Sequence, residues 1–251
     1  MDQHQLRMQE IRERLQREPQ VTIRELAAHF AVSTMTIRRD LEKLEAQGFA
    51  VRTFGGAMAV THGGSAPAVT PTSPMKQAIG ALAASLVQPG QTVLVDAGTT
   101  TLEVARHLPR EHNITLVTNS LVAAHEVAPG IRLLLLGGYL SEDRIRLYGP
   151  LTEASLAGLH ADLLFVGCVG ASSTHGFYMS DLYLTSNVQA MVRAADRVVV
   201  VAESRKFPQR ALSCYATPDE VYAVVTDAGM PEAMRRELGE RGVRVLIAEL
   251  A

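Results

Sequence analysis

Seven short apolar runs recur between residues 92 and 249: TVLVDAG, ITLVTNS, RLLLLGG, DLLFVGCVG, RVVVVAE, VYAVVTD and VRVLIAE. Runs that are apolar at nearly every position, not at alternate ones, suit strands covered on both faces. Helical patterns separate them near residues 75–87, 102–108, 121–127 and 187–195. The alternation predicts an α/β domain built on a mostly parallel sheet, and ligands of such sheets bind beyond the carboxyl ends of the strands.

Residues 1–56 follow a different rule. Helical patterns cover 6–17, 23–30 and 33–47. Thr22 and Glu25 in TIRE form a capping box that sets the start of the second helix. The turn FAVS leaves only a few residues before the third, the spacing of a helix-turn-helix. Gly48 suits a helix C-cap, and FAVRTFGGA reads as a strand ending in a double-glycine turn. Three helices and a β-wing predict a winged helix-turn-helix. Between Gly55 and Pro74, GGAMAVTHGGSAPAVTPTSP contains no Asp, Glu, Lys or Arg and reads as a linker. The expected division is 1–56, a DNA-binding domain; 57–74, a linker; and 75–251, the α/β domain.

The third helix carries the sharpest local question. In VSTMTIRRDL, Ser33 is an N-cap and Ile37, Leu41 and Leu44 form a buried stripe. Met35, Arg38, Arg39 and Glu42 take the opposite face. Arg38 has Glu42 four residues on, the pairing of an ordinary exposed helix, whereas Arg39 faces Lys43, a like charge that a bound anion would relieve. In a helix-turn-helix the N-terminal residues of this helix meet base edges. Ser33, Thr34, Met35 and Thr36, then Arg38, Arg39 and Lys43, are therefore the candidate DNA contacts, with Arg52 and Thr53 from the wing.

Net charge argues only weakly. The chain carries −2 at pH 7, and residues 1–56 hold nine Lys or Arg against eight Asp or Glu, so any DNA-binding surface must be a local patch. Cys168 and Cys214 form no CxxC pattern and fit free thiols in a reducing compartment. No apolar stretch approaches a membrane span and the polar start is no signal peptide, so a cytoplasmic location is expected.

The strand ends share a chemistry. DAGTTT places Asp96, Gly98, Thr99, Thr100 and Thr101 where a strand turns into a helix, offering amides, hydroxyls and a helix dipole to an anion. Asn119 and Ser120 follow the next strand, Gly137 and Gly138 the third, Gly167 and Gly170 the fourth, and Lys206 in AESRKF the fifth. This set suits a phosphate better than a dinucleotide, since neither GxGxxG nor GxxxxGK[ST] occurs. No metal and no cofactor are expected: the eight histidines show no HxH or HxxxH pairing, and Cys168 has no basic neighbour to make it a nucleophile.

VSTMTIRRDLEKLEAQGFAVRTFGGA, residues 32–57, resembles the N-terminal domain of the DeoR family of bacterial transcriptional regulators. KQAIGALAASLVQPGQTVLVDAGTTTLEVARHL, TLVTNSLVAA, LLLLGGYLSEDRIRLYGP, DLLFVGCVGASSTHGF and AADRVVVVAESRKF resemble its C-terminal effector domain. The resemblance implies a winged helix-turn-helix on operator DNA, commonly repressing genes of sugar metabolism as a homodimer or higher oligomer. It implies an effector domain similar in fold to ribose-5-phosphate isomerase that binds a phosphorylated sugar or related metabolite. It assigns effector roles to Asp96, Gly98, Thr99, Thr100, Thr101, Asn119, Gly137, Gly138, Gly149 and Lys206, and matches Asp162 to a frequent family aspartate. The chain departs from the family where DLYLTSNVQAMV has Leu184 and Thr185 but no glutamate, and where ESRKF has Glu203 for an aspartate and Arg205 for a serine. The extra charge of Arg205 suggests a more anionic ligand. Two readings remain: a regulator, not an enzyme, or a sugar-phosphate isomerase with a DNA-binding appendage. Isomerisation needs a general base, and only Asp181 or Asp162 offers a substitute for the absent glutamate.

Overall fold

The computed structural model describes residues 3–17, 20–46, 50–53, 55–59 and 72–250. The chain divides into two compact units, residues 1–66 and 67–251. In the first, the order is α1 (Gln3–Arg17), β1 (Gln20–Thr22), α2 (Ile23–His29), α3 (Thr34–Ala46), β2 (Ala50–Thr53) and β3 (Gly56–Ala59). The Thr22–Glu25 capping box forms as the sequence predicts. The turn between α2 and α3 is tight enough to hold Ala31 at φ 51°, a left-handed conformation. Ile11, Leu15, Leu26, Ile37, Leu41 and Leu44 close the core.

The wing is larger than a single hairpin, because β3 lies between β1 and β2 in an antiparallel sheet. The paired glycines are used separately. Gly55 takes φ +139° in the turn, while a Cβ on Gly56 would stand 1.9 Å from the Val21 carbonyl oxygen, so Gly56 serves the close approach of β3 to β1. Ala57 pairs with both Val21 and Arg52 and is buried. Residues 57–59, expected in the linker, are therefore the central strand of the wing. At the other end Ser73 caps α4 and Pro74 opens it, so 73–74 also belong to a folded element. Residues 60–71, the body of the expected linker, and Gly48, the expected C-cap, lie outside the described residues.

The second unit runs α4 (Pro74–Ala84), β4 (Thr92–Val95), α5 (Thr99–Arg106), β5 (Thr115–Thr118), α6 (Leu121–Glu126), β6 (Arg132–Leu135), β7 (Tyr139–Leu140), β8 (Leu147–Tyr148) and α7 (Pro150–Leu156). It continues with β9 (Ala161–Val166), β10 (Gly170–Ser172), β11 (Gly176–Met179), α8 (Leu182–Arg193), β12 (Ala195–Val201), β13 (Ser213–Ala216), β14 (Ala223–Asp227), α9 (Glu232–Glu240) and β15 (Arg244–Ala248). All seven apolar runs become strands of one sheet, ordered β15-β14-β12-β9-β4-β5-β6, and every pairing in it is parallel. Alternate residues feed two cores. Val93, Val95, Leu163, Phe165, Val199 and Val201 pack under α4, α5 and α6. Leu94, Leu164, Val166, Val198 and Val200 pack under α7, α8 and α9.

Two small antiparallel sheets, β7-β8 and β10-β11-β13, and helices α7 and α9 have no counterpart among the predicted elements. Strands of two to four residues within turn-rich sequence carry too little periodicity to be recognised. One apolar run also departs from expectation. β6 occupies an edge, and its leucines are exposed where the pattern calls for cover on both faces. Among the described residues no helix is long and apolar enough to cross a membrane.

Helix α4 crosses α5 at Gly80, where a Cβ would stand 2.4 Å from Cβ of Glu103 and 2.6 Å from its backbone carbon. Gly80→Ala is expected to destabilise the second unit by about 1–3 kcal/mol through overpacking, read as a lower Tm in calorimetry. An unchanged Tm would show that the two helices separate freely.

Candidate functional site

Helix α3 has two faces of opposite character. Ile37, Leu41 and Leu44 are buried, and so is Asp40, the acid that follows the two arginines. Its carboxylate receives Arg7 Nε at 2.6 Å and His4 Nδ1 at 3.2 Å, clamping α1 to α3. Ser33 caps the helix, its Oγ accepting the Thr36 N–H at 3.1 Å and lying 2.8 Å from Thr36 Oγ1. The two hydroxyls thus satisfy each other. Thr34, Met35, Arg38 and Arg39 are exposed, with Met35 at 55%. Lys43 is exposed but bends back, its Nζ 3.1 Å from His4 Nε2, so it belongs more to the α1 side than to the arginine face. Arg52 and Thr53 lie on β2; their side chains fall outside the described residues.

The second site lies where the strand order of the large sheet turns back. From β4 the chain proceeds to β5 and β6 on one side and returns to β9, β12, β14 and β15 on the other. A cleft of about 290 Å3 opens beyond the carboxyl ends of β4, β9 and β12, lined by Asp96 to Thr101, Gly167 to Val169 and Val201 to Glu203, with Lys76, Arg146, Arg205 and Lys206. Gly98 is the N-cap of α5, in extended conformation. The amides of the first helical turn lack internal partners and point at the cleft end of the helix.

Asn119 braces this corner without lining it. Its Oδ1 accepts the Ala97 N–H at 2.9 Å, and its Nδ2 donates to Asp96 Oδ1 at 3.2 Å and to the Leu147 carbonyl at 3.3 Å. Burial raises the Asp96 carboxyl above the usual range; the Arg146 charge and hydrogen bonds from Ala97 and Asn119 pull the other way. Lys76 Nζ donates to Thr99 Oγ1 at 3.0 Å and stands 4.0 Å from Glu203 Oε2. Arg205 Nη2 meets the same Glu203 oxygen at 2.9 Å. Glu203 thereby offsets much of the extra charge that Arg205 brings, the charge on which the expectation of a more anionic ligand rested. Arg146 and Lys206 also line the cleft, and among the described residues neither is placed in an ion pair. Burial pushes the Cys168 thiol up to about 12, so it lines the cleft as a neutral wall.

Of the eleven expected effector residues, Asp96, Gly98, Thr99, Thr100, Thr101 and Lys206 meet in the cleft. Gly137, Gly138 and Gly149 do not line it. The Gly137 carbonyl accepts Thr152 Oγ1 at 2.6 Å, a Cβ on Gly138 would stand 2.3 Å from that same oxygen, and the Gly149 amide donates to Asn187 Oδ1 at 3.1 Å. They shape the connection from β6 to α7. Asp162 sits at the amino end of β9, opposite the cleft, where Oδ2 accepts the Thr92 N–H at 2.8 Å. Asp181 caps α8 through the Leu184 N–H at 3.0 Å, and Thr185 donates to its carbonyl at 2.8 Å. Neither aspartate is placed as a base in the cleft. Lys76, Arg146 and Met179 escaped the sequence reading, since no local motif ties them to the strand ends they approach.

A buried acid with a raised pKa opposes folding once ionised, fully above its folded pKa and not at all below its unfolded pKa near ~4. Asp96→Asn is therefore expected to raise Tm at pH 8, with the gain shrinking to nothing as pH falls towards the unfolded value. Thermal melts across that range check this; a constant difference would mean that Asp96 carries no burial penalty.

Residues 7–62 match the DeoR-like helix-turn-helix domain, and residues 72–228 match the DeoR C terminal sensor domain. Transcriptional repressor AccR of Agrobacterium fabrum is 34% identical, across 92% of this chain and 95% of its own. HTH-type transcriptional repressor GlcR of Bacillus subtilis is 32% identical, across 94% and 93%. Among solved structures, ribose 5-phosphate isomerase A of Neisseria gonorrhoeae aligns over 54% of each chain with a TM-score of 0.40 and 13% identity. With both domains matched in order and repressors of near-equal length among its relatives, this chain belongs to the DeoR family of transcriptional regulators, not to the enzymes.

Proposed function

We propose that this protein represses genes of carbohydrate metabolism, acting as a homodimer or higher homo-oligomer, with α3 in the major groove of operator DNA and a phosphorylated sugar or related metabolite as effector in the cleft. The observation that carries the sensor reading is the meeting of the α5 first-turn amides with Lys206 and Arg146 around one cleft. A phosphate finds amide donors, hydroxyls of Thr99 and Thr100, and positive charge there, while a cleft of about 290 Å3 leaves room for a small polyol and not for a dinucleotide. On α3, the exposed arginines offer bidentate donors to guanine or phosphate, and Met35 offers an apolar contact for a thymine methyl. Effector and operator affinities are then coupled by one free energy that acts in both directions.

The reading is tested by fluorescence anisotropy on DNA from the protein's own promoter region, titrated with sugar phosphates at fixed salt, because phosphate contacts make affinity strongly salt-dependent. One compound is expected to change operator affinity; a panel without effect would remove the sensor assignment. Arg39→Ala is expected to weaken operator binding by ~10-fold or more, at about 1–3 kcal/mol for a base-reading arginine, without altering the melt of the effector unit. Gel-shift titration showing wild-type affinity would count against this docking. Lys206→Ala is expected to keep operator binding while effector affinity in calorimetry falls ~10-fold, the scale of a lost charge-assisted hydrogen bond. Normal effector affinity would place Lys206 outside the site.

A further inference from the structure

Of the seven strands in the main sheet, β6 alone has every side chain exposed. It lies at an edge, and Leu133, Leu134 and Leu135 show 38%, 43% and 38% of their surface to solvent. The opposite edge is protected: Val245, Leu246 and Ile247 of β15 are half-buried, and Arg244 stacks 5.3 Å from the Tyr222 ring centre. β6 has no proline or lysine, and its one charge, Arg132, sits at its start. Proteins blunt free edges with such devices, and an apolar edge without them is a template for another strand. Tyr139, Leu140 and Leu151, also exposed, extend the patch. The six residues show on the order of 500 Å2 together, the scale at which an exposed apolar patch marks an interface.

We infer that the β6 edge is the seat of a second copy of this chain, paired antiparallel about a two-fold axis so that two seven-stranded sheets become one. The backbone fixes the register. Arg132 donates to the Ile114 carbonyl and Leu136 to the Thr118 carbonyl, so even-numbered residues of β6 bond to β5 while Leu133 and Leu135 turn their N–H and C=O groups outward. A two-fold axis at Leu134 sets Leu133 opposite the partner subunit's Leu135 as a hydrogen-bonded pair, and Leu134 opposite its own symmetry mate as a non-hydrogen-bonded pair. Leucine then meets leucine at all three positions, and the two Arg132 side chains fall at opposite ends of the ladder. This inference rests on the homo-oligomer reading above and adds which surface forms the contact.

Sedimentation equilibrium of the full chain should give a mass at least twice 27.1 kDa. Leu134→Arg and Leu134→Glu should each halve that mass, because like charges then face one another at the self-paired position, and an equimolar mixture should restore it. In the wild-type protein, hydrogen exchange should find the Leu133 and Leu135 amides protected, as a free edge would not. A monomeric wild type would remove both the homo-oligomer and this interface. Unchanged mass in the two variants, failure of their mixture to reassemble, or unprotected amides would remove the β6 edge alone and leave oligomerisation through another surface standing.

Discussion

The constraint on which the larger unit depends is the reversal of strand order beside β4. Parallel neighbours are joined only by crossovers, and crossovers that leave β4 and β9 in different directions cannot cover the crevice between the two strand ends. The sequence fills that crevice with a corner instead of a side-chain plug. Asn119, delivered by the neighbouring β5, holds Ala97 and Asp96 in place, and the chain then turns at Gly98 into α5 with its first amides facing open space. A helix start that opens on a cleft is thus a consequence of topology.

Charge within the cleft is arranged by distance as much as by number. Four cations and two carboxylates border it; Glu203 lies 2.9 Å from Arg205 and 4.0 Å from Lys76, so one carboxylate is shared between two of the cations. Asp96 is deeper, and its own desolvation opposes ionisation against the pull of Arg146. Arg146 and Lys206 line the same cleft beside the first turn of α5, so side chains and helix dipole together give it a positive character.

The smaller unit solves a similar problem with one helix. α3 must hold the core through Ile37, Leu41 and Leu44 while keeping Arg38 and Arg39 exposed on its other face. Asp40 makes this possible by turning inward to Arg7 and His4, so the acid next to the arginines in sequence is removed from them in space. Its burial is supported by the pair of donors it meets; a carboxylate without them would be too costly to bury there.

Sequence alone determined what is decided locally. The capping box at Thr22, the buried stripe of α3, the seven strands and the strand-to-helix turn at Gly98 follow from burial periodicity and cap chemistry, which act over a few residues and so are written in a few residues. Arginines at 38 and 39 and threonines at 99–101 could be picked out for the same reason. Tertiary structure alone decided which distant residues meet: Lys76 and Arg146 reach the cleft only because the crossovers close around β4, and Asp162 and Gly138 leave it because strand direction and loop packing carry them elsewhere. The place of each strand in the sheet is equally non-local. An apolar run states that a strand is to be covered, but whether its neighbour comes from the same chain depends on strand order, and for β6 the single chain leaves that cover to be found outside itself.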